Sequence, residues 1–405
     1  MSLAILSNAV PPGKAAPFQR GSSLTRVLLA LSGRVEAEAA EIRGPLSVFV
    51  AQPSAWLRAD GVSSLRFRDA GGVLAARLDE RPKWLWIDFD PTAGSARDRL
   101  DFLRLAGTVA ASVEADGGAL GLAIAEDVGA IGESMFFSGR AFSCRRILQR
   151  LAERCSRQIS FSTMAAAGLT RRFRRRFELF PVPSLIPNSS LSQGKARSEL
   201  GLEEEGQDLL VGVVGRYGTM DWDLLHAGLR EALRLSPGAR VLYMGPDGQQ
   251  LRGRAIPLPL LDAGTPAPSE IALRLRAVDL MILPFKDGGR ADDQAILSCL
   301  CNGTPVVATA PATGMDPSFG PLPEGFNIVP GSELGAYLEA VESACERALR
   351  GPGREIEEGL RAYYHNRFSA EEVWRRFFGA TGEKIVVEML AAQTTSPSLN
   401  PQPER

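Results

Sequence analysis

The chain has 405 residues, of which 45% are apolar and 23% are charged, and these values are typical of a globular protein with two or three domains. Its formal net charge of -1 gives no overall attraction to nucleic acids, so only local charge can indicate a polyanionic partner. No basic leader precedes the first apolar run, and no apolar window reaches the roughly 18 residues of a membrane span, so we expect neither secretion nor membrane spanning.

The five cysteines are scattered along the chain without the paired spacings of a zinc site or a disulfide framework. They are Cys144, Cys155, Cys299, Cys301 and Cys345. This usage predicts a protein of the reducing cytoplasm, with no metal site. The two histidines, His226 and His365, fall in or beside predicted helices, so we expect surface or packing roles for them.

In the first half of the chain, apolar runs of strand length alternate with amphipathic stretches of helix length. The predicted strands cover residues 3–8, 46–51, 83–91, 118–127 and 158–162. The predicted helices cover residues 23–31, 96–115 and 140–155. This alternation predicts a parallel sheet covered by helices.

The alternation stops at residues 181–187, and the polar residues 189–207 are predicted to be a linker. A second alternating series begins at Leu209. The sequence therefore predicts two Rossmann-like α/β domains, over residues 1–188 and 208–368. Ser369 and Glu372 fit a capping box, so residues 369–390 are predicted to form a helical segment crossing back to the N-terminal domain. The polar, Pro-rich residues 391–405 are predicted to be a disordered tail.

The first candidate binding turn follows the strand at residues 209–214 and comprises Gly215 to Thr219. Open parallel sheets bind ligands at the carboxyl ends of their strands. Glycines here would let the backbone approach a ligand, and Arg216 would offer a bidentate positive fork to phosphate oxygens. The alternative is an ordinary strand-to-helix turn with a solvated arginine.

Two more turns follow the next strands of this series. Residues 245–248 read Gly-Pro-Asp-Gly, which is also the pattern of a plain tight turn. Residues 286–290 read Lys-Asp-Gly-Gly-Arg and precede a short helix. Free amides and the positive end of that helix would suit a diphosphate, with Lys286 or Arg290 adding charge. The alternative is that this helix start binds no ligand, and that the acidic residues in its first turn simply interact favourably with the helix dipole.

The order of these segments resembles the nucleotide-sugar-binding half of GT-B glycosyltransferases, in the group-1, family-4-like branch. The resemblance is carried by the segments at residues 211–216, 240–248, 277–285 and 297–309, the last of which reads LSCLCNGTPVVAT. In the N-terminal half it is weaker. Residues 12–14 and 20–22 match the glycine loop after the first strand, and residues 126–127 match the acceptor-side loop. Residues 153–154, Ser162 and the Ile-Pro-Asn at residues 186–188 also match.

The sequence departs from the family where two glutamates are expected in the third turn and its helix. Arg290 and Ser298 occupy those two positions. The lysine that follows the Gly-Arg pair in the family is also replaced, since residues 217–222 read Tyr-Gly-Thr-Met-Asp-Trp. The chain is therefore a divergent member by this comparison, with changed contacts to the donor ribose and sugar.

The resemblance implies a metal-independent, retaining glycosyltransferase that moves a sugar from a nucleotide diphosphate to a glycan or lipid-linked glycan of bacterial-type surface polysaccharide synthesis. It implies no cofactor beyond the nucleotide sugar, which is a co-substrate. The donor-binding residues it implies are Gly215, Arg216, Thr219, Gly245, Lys286, Gly288, Gly289, Arg290 and Ser298. The acceptor-binding residues it implies are Gly13, Lys14, Arg20 and Gly21.

The catalytic residues implied are Arg216, for leaving-group charge, and Asp127, for orienting or deprotonating the acceptor hydroxyl. Asp127 has a second interpretation, as a strand-terminal residue that caps the next turn. Two other functions remain open for the whole chain. One is a non-catalytic nucleotide-sugar-binding or scaffold protein, and the other is a sugar-nucleotide epimerase of the same architecture.

A basic region covers residues 140–176, where eleven arginines accompany one acidic residue, Glu153. Phe142, Phe173 and Phe177 are interleaved with the arginines, so the region is predicted to be a basic, amphipathic surface. Such a surface can dock on anionic lipid head groups and give the protein a peripheral membrane contact. The alternative is a solvated helical face. Binding to nucleic acid is not expected, because no recognised nucleic-acid module accompanies the arginines.

Overall fold

The computed structural model describes residues 3–7, 46–51, 56–58, 65–70, 73–78, 84–91, 96–124, 139–161, 163–202, 208–253, 256–289, 293–312, 314–351, 353–369, 372–373 and 376. They divide into two compact units. Unit 1 holds the described residues up to Val182 together with Val373 and Arg376, and unit 2 holds those from Pro183 to Glu372. The helix predicted at residues 23–31 and the tail predicted at residues 391–405 lie outside the described residues.

Unit 1 is built on a seven-stranded sheet and a separate hairpin. Its strands are β1 Leu3–Ser7, β2 Leu46–Ala51, β3 Trp56–Arg58, β4 Leu65–Ala70, β5 Val73–Leu78, β6 Trp84–Phe89, β7 Ala119–Ile124, β8 Arg157–Ser160 and β9 Glu178–Leu179. The sheet has the order β3-β2-β1-β6-β7-β8-β9 and is parallel except for the pair of β2 and β3. β4 and β5 form an antiparallel hairpin, which the sequence pattern did not predict.

The centre of this sheet is buried, as continuous apolar runs in parallel strands require. Trp86 in β6 lies directly opposite Gly121 in β7. A Cβ atom at Gly121 would lie 2.5 Å from the indole ring, so only glycine leaves room for Trp86 there.

Three helices connect the last four strands of unit 1. They are α1 Ala96–Ala115, α2 Gly139–Arg154 and α3 Thr163–Phe173. Because they join successive parallel neighbours by crossovers of the same hand, they lie on one face of the sheet. Leu103, Leu148 and Leu169, one from each helix, belong to the same buried cluster. The bounds confirm the prediction for α1, and they differ by one residue at each end for α2.

Unit 2 contains a six-stranded sheet in which every pair is parallel. Its strands are β10 Leu210–Val214, β11 Arg240–Met244, β12 Leu260–Asp262, β13 Leu280–Leu283, β14 Val306–Ala310 and β15 Phe326–Pro330. The order β12-β11-β10-β13-β14-β15 is the 3-2-1-4-5-6 order of a doubly wound Rossmann-like sheet. The predicted α/β class is thus confirmed, and the strand order reverses between β10 and β13.

Helices cover both faces of this sheet. They are α4 Gln193–Glu199, α5 Trp222–Leu235, α6 Gly248–Arg252, α7 Pro268–Ala277, α8 Gln294–Asn302, α9 Leu334–Leu349 and α10 Arg354–Phe368. Side chains of β10 alternate between two buried clusters: Leu210 and Val214 belong to one, and Val211 and Val213 to the other. This alternation is why all five residues of β10 are buried.

The start of unit 2 is more ordered than its polar sequence predicts. Within the predicted linker, residues 193–199 form α4, where Ser192 caps the helix and Ala196 is buried. The Arg197 guanidinium pairs with Asp279 at 2.6 Å and donates to the Ala277 carbonyl at 2.8 Å. A seven-residue helix is too short to be stable alone, so these tertiary contacts hold it in place.

Candidate functional site

The site lies where the strand order of unit 2 reverses. β10 and β13 are neighbours, yet the chain continues from them toward opposite edges of the sheet. Ligands bind outside the carboxyl ends of such strands, because the diverging connections leave a crevice. The turns after β10 and β13 carry these predicted site residues: Gly215, Arg216, Thr219, Lys286, Gly288 and Gly289.

Backbone contacts join the two turns into one surface. Lys286 N donates to the Thr219 carbonyl at 3.0 Å, and Asp221 N donates to the Pro284 carbonyl at 2.7 Å. Met220 and Phe285 form an isolated antiparallel bridge between them. We call residues 215–221 and 284–289 the switch-point ledge. Its two halves are fixed to each other by main-chain hydrogen bonds, so the side chains they carry share one frame.

The first half of the ledge begins at Gly215, whose φ of 133° is rarely adopted by residues with a side chain. The Thr219 hydroxyl donates to the Arg216 carbonyl at 2.8 Å within the same turn. The proton that sequence reasoning assigned to a ligand is therefore used by the turn itself. Asp221 closes this half by capping α5, where it accepts from Asp223 N and Leu224 N, each at 3.1 Å.

The end of β11 and the turn after it pack against this half of the ledge and form a hydrogen bond to it. The Tyr243 hydroxyl donates to the Gly215 carbonyl at 2.7 Å and accepts from Asp247 N at 3.3 Å. Burial raises the pKa of Tyr243 to about 12, so the hydroxyl keeps its proton at neutral pH. A Cβ at Gly245 would lie 2.3 Å from the Gly215 carbonyl oxygen. Gly245 thus permits this close approach.

Sequence reasoning missed Tyr243. The only available signal was a tyrosine near the carboxyl end of a buried strand, which by itself suggests packing as readily as a hydrogen bond across two turns.

The second half of the ledge does not offer the free amides that the glycines suggested. Gly288 N donates to the Phe285 carbonyl at 3.1 Å, and Gly289 N donates to the Thr309 carbonyl at 2.5 Å. With Lys286 N bonded to Thr219, all three amides have protein acceptors. The glycines are needed for packing: a Cβ at Gly288, where φ is 72°, would lie 1.9 Å from Pro311 N. The expectation of amide-to-phosphate contacts at Gly288 and Gly289 is therefore corrected.

Ser298 is buried inside unit 2, on α8. Its hydroxyl donates to the Gln294 carbonyl at 2.5 Å and lies 3.1 Å from the Ser184 hydroxyl. Gln294 accepts from Leu185 N at 2.8 Å. Ser298 therefore joins the first residues of unit 2 to α8, with none of its surface exposed. Its role in binding the donor stays a prediction.

The beginning of α8 is already capped by an acidic residue. Asp293 accepts from Ala295 N at 3.0 Å and places a carboxylate beside the first amides of the helix. This favours the dipole interpretation of the acids at the helix start. A second anion at these amides would have to compete with Asp293.

The cationic side chains of the ledge remain available. Arg216 and Lys286 are both exposed. Neither side chain has a hydrogen-bond or ion-pair partner among the residues that the structure describes. The hydrogen bond from Lys286 N to the Thr219 carbonyl joins the half of the ledge that carries Lys286 to the half that carries Arg216. Two free cations at the switch point can attract and neutralise a diphosphate.

The remaining predicted site residues cannot be placed. Asp127, Gly13, Lys14, Arg20, Gly21 and Arg290 lie outside the described residues.

Neither a metal cluster nor a membrane span is found in the part of the chain that the structure describes. No group of three or more His, Cys, Asp or Glu residues there is arranged to hold a metal ion. None of the described helices combines the length and hydropathy needed to cross a lipid bilayer.

Three solved structures share this architecture over nearly the whole chain. Anabaena HepE in complex with UDP-glucose matches with a TM-score of 0.52 at 15% identity, covering 97% of this chain and 100% of that one. Sucrose-phosphate synthase from Thermosynechococcus elongatus gives the same values. The lipopolysaccharide outer core galactosyltransferase WaaB gives a TM-score of 0.51 at 9% identity, with coverage of 97% and 100%. No protein-family model and no curated protein sequence matches this chain.

The chain is a two-unit α/β protein with Rossmann-like parallel sheets. At 9% to 15% identity, these structural matches identify its fold as GT-B, in divergent form.

Proposed function

We propose that this protein is a glycosyltransferase that moves a sugar from a nucleotide-diphosphate donor to an acceptor. The observation that carries the proposal is the switch-point ledge of a GT-B fold, with Arg216 and Lys286 exposed and unpaired. HepE, which has the same fold, is seen with UDP and with UDP-glucose. A nucleoside diphosphate at the ledge is therefore the ligand we propose for this chain.

The ledge would act mainly through charge. As the bond between sugar and diphosphate breaks, negative charge grows on the diphosphate, and cations positioned in advance stabilise that charge. We assign this role to Arg216, with Lys286 assisting, and propose that the reaction is retaining and requires no metal ion. The amides of Lys286, Gly288 and Gly289 take no part, because protein carbonyls already accept from them.

The acceptor we propose is a glycan or lipid-linked glycan of a surface polysaccharide or glycoconjugate, used in the cytoplasm. Asp127 stays our candidate for orienting the acceptor hydroxyl. Gly13, Lys14, Arg20 and Gly21 stay our candidates for acceptor contacts.

A non-catalytic nucleotide-sugar-binding protein is the second candidate. Two observations favour it: Ser298 stands at a position where the family carries a glutamate, and it is buried without exposed surface. Such a protein would bind the nucleotide at the same ledge but would not release it from a sugar.

Binding is tested first, by calorimetry and thermal shift with UDP, GDP, ADP and the matching monophosphates. We expect one diphosphate to bind better than its monophosphate, because the second phosphate adds charge at the ledge. Arg216→Ala should weaken that binding about 10- to 100-fold, the usual effect of losing a charge-assisted hydrogen bond.

Arg230→Ala is the matched control, since Arg230 is also exposed and lies on α5 of the same unit. It should bind like the wild type. Equal affinity of Arg216→Ala and wild type would exclude the assigned role of Arg216, and a lack of response to every diphosphate would exclude the proposed function.

A turnover assay then distinguishes a glycosyltransferase from a non-catalytic binding protein. The assay contains the matched nucleotide sugar, a lipid-linked glycan acceptor and EDTA. Release of the nucleotide diphosphate under these conditions would establish metal-independent transfer. Binding without release under these conditions would favour the non-catalytic candidate. The anomeric configuration of the product, read by NMR, tests retention.

A further inference from the structure

Positive charge in unit 1 is concentrated in α2, α3 and the turn that follows α3. Residues 139–177 contain eleven arginines and one acidic residue, although the whole chain has a net charge of -1. α2 and α3 lie on the same face of the sheet, and Arg174, Arg175 and Arg176 follow α3 directly.

Most of the described arginines of this region are exposed and unpaired. They are Arg145, Arg146, Arg150, Arg171, Arg174, Arg175 and Arg176, and we call them the arginine surface. Arg154 and Arg157 differ, because they pair with Glu114 and Glu178 respectively. Glu153, the one acid of the region, accepts from Gln149 at 3.2 Å.

Along α2, Arg145 and Arg150 are separated by about 7.5 Å of helix rise. This is within the Debye length of about 10 Å at 0.1 M salt, so these like charges repel one another in solution. Glu153 is the one acidic residue of the region, so it offsets only part of this repulsion. An external anionic partner would relieve it.

Phe173 and Phe177 do not belong to the surface, contrary to the sequence prediction, and the side chain of Phe142 lies outside the described residues. Phe173 and Phe177 are each 5% exposed and contact each other with ring centroids 5.8 Å apart. Phe177 N also donates to the Thr170 hydroxyl at 3.0 Å. The two buried rings anchor both ends of the turn between them, so Arg174, Arg175 and Arg176 are held outward.

We propose that the arginine surface docks on a membrane rich in anionic lipid head groups, by charge and without insertion of Phe173 or Phe177. A broad, exposed set of unpaired arginines matches a plane of phosphate groups, which offers many equivalent acceptors. The contact does not depend on the proposed transfer reaction, and it would hold the protein at a surface where lipid-linked molecules reside.

The test is co-sedimentation of the full-length protein with sucrose-loaded vesicles, in the absence of any nucleotide. Vesicles of phosphatidylcholine with 30% phosphatidylglycerol should bind the protein at 0.1 M NaCl, and vesicles of phosphatidylcholine alone should not. Binding should be largely lost at 0.5 M NaCl, because the Debye length falls toward about 3 Å at 1 M salt. Equal binding to both vesicle types would overturn the proposal.

The variant Arg145→Gln/Arg146→Gln/Arg150→Gln should reduce partitioning on the order of 100-fold, at about fivefold for each arginine near an anionic surface. The matched control is Arg234→Gln/Arg350→Gln/Arg354→Gln, which removes the same charge from exposed positions of unit 2. It should partition like the wild type. An equal loss in both variants would show that net charge alone is sensed and would overturn the assignment.

Three further measurements keep the result unambiguous. Thermal melting of both variants should match the wild type, since the substituted side chains are exposed. The variant Arg145→Lys/Arg146→Lys/Arg150→Lys should keep its binding, because it keeps the charge. Displacement of the protein from vesicles by single-stranded RNA, at equal phosphate concentration, would instead assign the surface to nucleic acid.

Discussion

Replacing Tyr243 by phenylalanine tests whether the turn after β11 positions the switch-point ledge. The substitution removes one oxygen and leaves the ring in place. It deletes the hydrogen bond to the Gly215 carbonyl, at 2.7 Å, and the one from Asp247 N, at 3.3 Å. The Gly215 carbonyl and the Asp247 amide would both lose an internal partner.

The expected magnitude follows from these two bonds. Tyr243 is 1% exposed, and leaving partners of a buried group unsatisfied costs about 1–3 kcal/mol. We expect the free energy of unfolding to fall by about that amount. If the lost bonds let the Gly215 turn leave its binding conformation, the apparent nucleotide affinity falls with the fraction that remains competent, by up to about tenfold.

Tyr363→Phe provides a matched control in the same unit. Its hydroxyl also donates to a backbone carbonyl, that of Phe319, and burial likewise raises its pKa to about 12. It lies outside the ledge. Urea denaturation of both variants gives the stability change, and calorimetric titration with the nucleoside diphosphate gives the affinity change.

We expect both variants to lose stability and only Tyr243→Phe to lose affinity. Equal affinities for the two variants would refute the positioning role of Tyr243. An unchanged free energy of unfolding in Tyr243→Phe would refute the hydrogen bonds themselves.

Three further predictions concern stability. Gly212→Val should lower the free energy of unfolding by about 1–3 kcal/mol in urea denaturation, because a Cβ at Gly212 would lie 2.1 Å from the Met281 sulfur. Gly359→Ala, at an exposed position of α10 where nothing lies within 4 Å of the new Cβ, should instead raise the free energy of unfolding by about 0.5–1 kcal/mol. A destabilised variant would contradict the reasoning. The free energy of unfolding should also fall between pH 9 and 12. Burial raises the pKa of Cys155 to about 12 and that of Cys301 to about 11, so folding favours the protonated thiols. Their contribution is complete below the unfolded pKa of about 8.5 and is lost as the pH rises through the folded values. Chemical denaturation at stepped pH measures this, and a stability that rises over the same range would contradict it.

The alternation of apolar runs and amphipathic stretches was enough to predict most of the parallel strands. β10, β11, β13 and β14 are short buried runs bounded by turn residues, and such runs are recognisable because both faces of a parallel strand are apolar. β3, β4 and β5 were missed. They belong to antiparallel pairs, whose formation depends on a partner strand and leaves a weaker local pattern.

The helix formed by the polar residues 193–199 was also missed, for a different reason. Their composition indicated a linker, yet they form α4, because Asp279 accepts from Arg197 at 2.6 Å and from Gln193 at 2.8 Å. Asp279 is distant in sequence, so no local pattern could reveal that α4 has a partner. The same applies to Tyr243, whose hydrogen bonds join two separate turns.

The α/β class, the two Rossmann-like halves and the position of Arg216 and Lys286 beside strand ends could all be predicted from the amino-acid sequence. These follow from periodicity and chain order, which are local properties. Tertiary structure alone decided which groups at those strand ends are available. The amides of Gly288 and Gly289 and the hydroxyl of Ser298 are bonded within unit 2, while Arg216 and Lys286 stay free, because hydrogen-bond partners are set by packing between segments far apart in the chain.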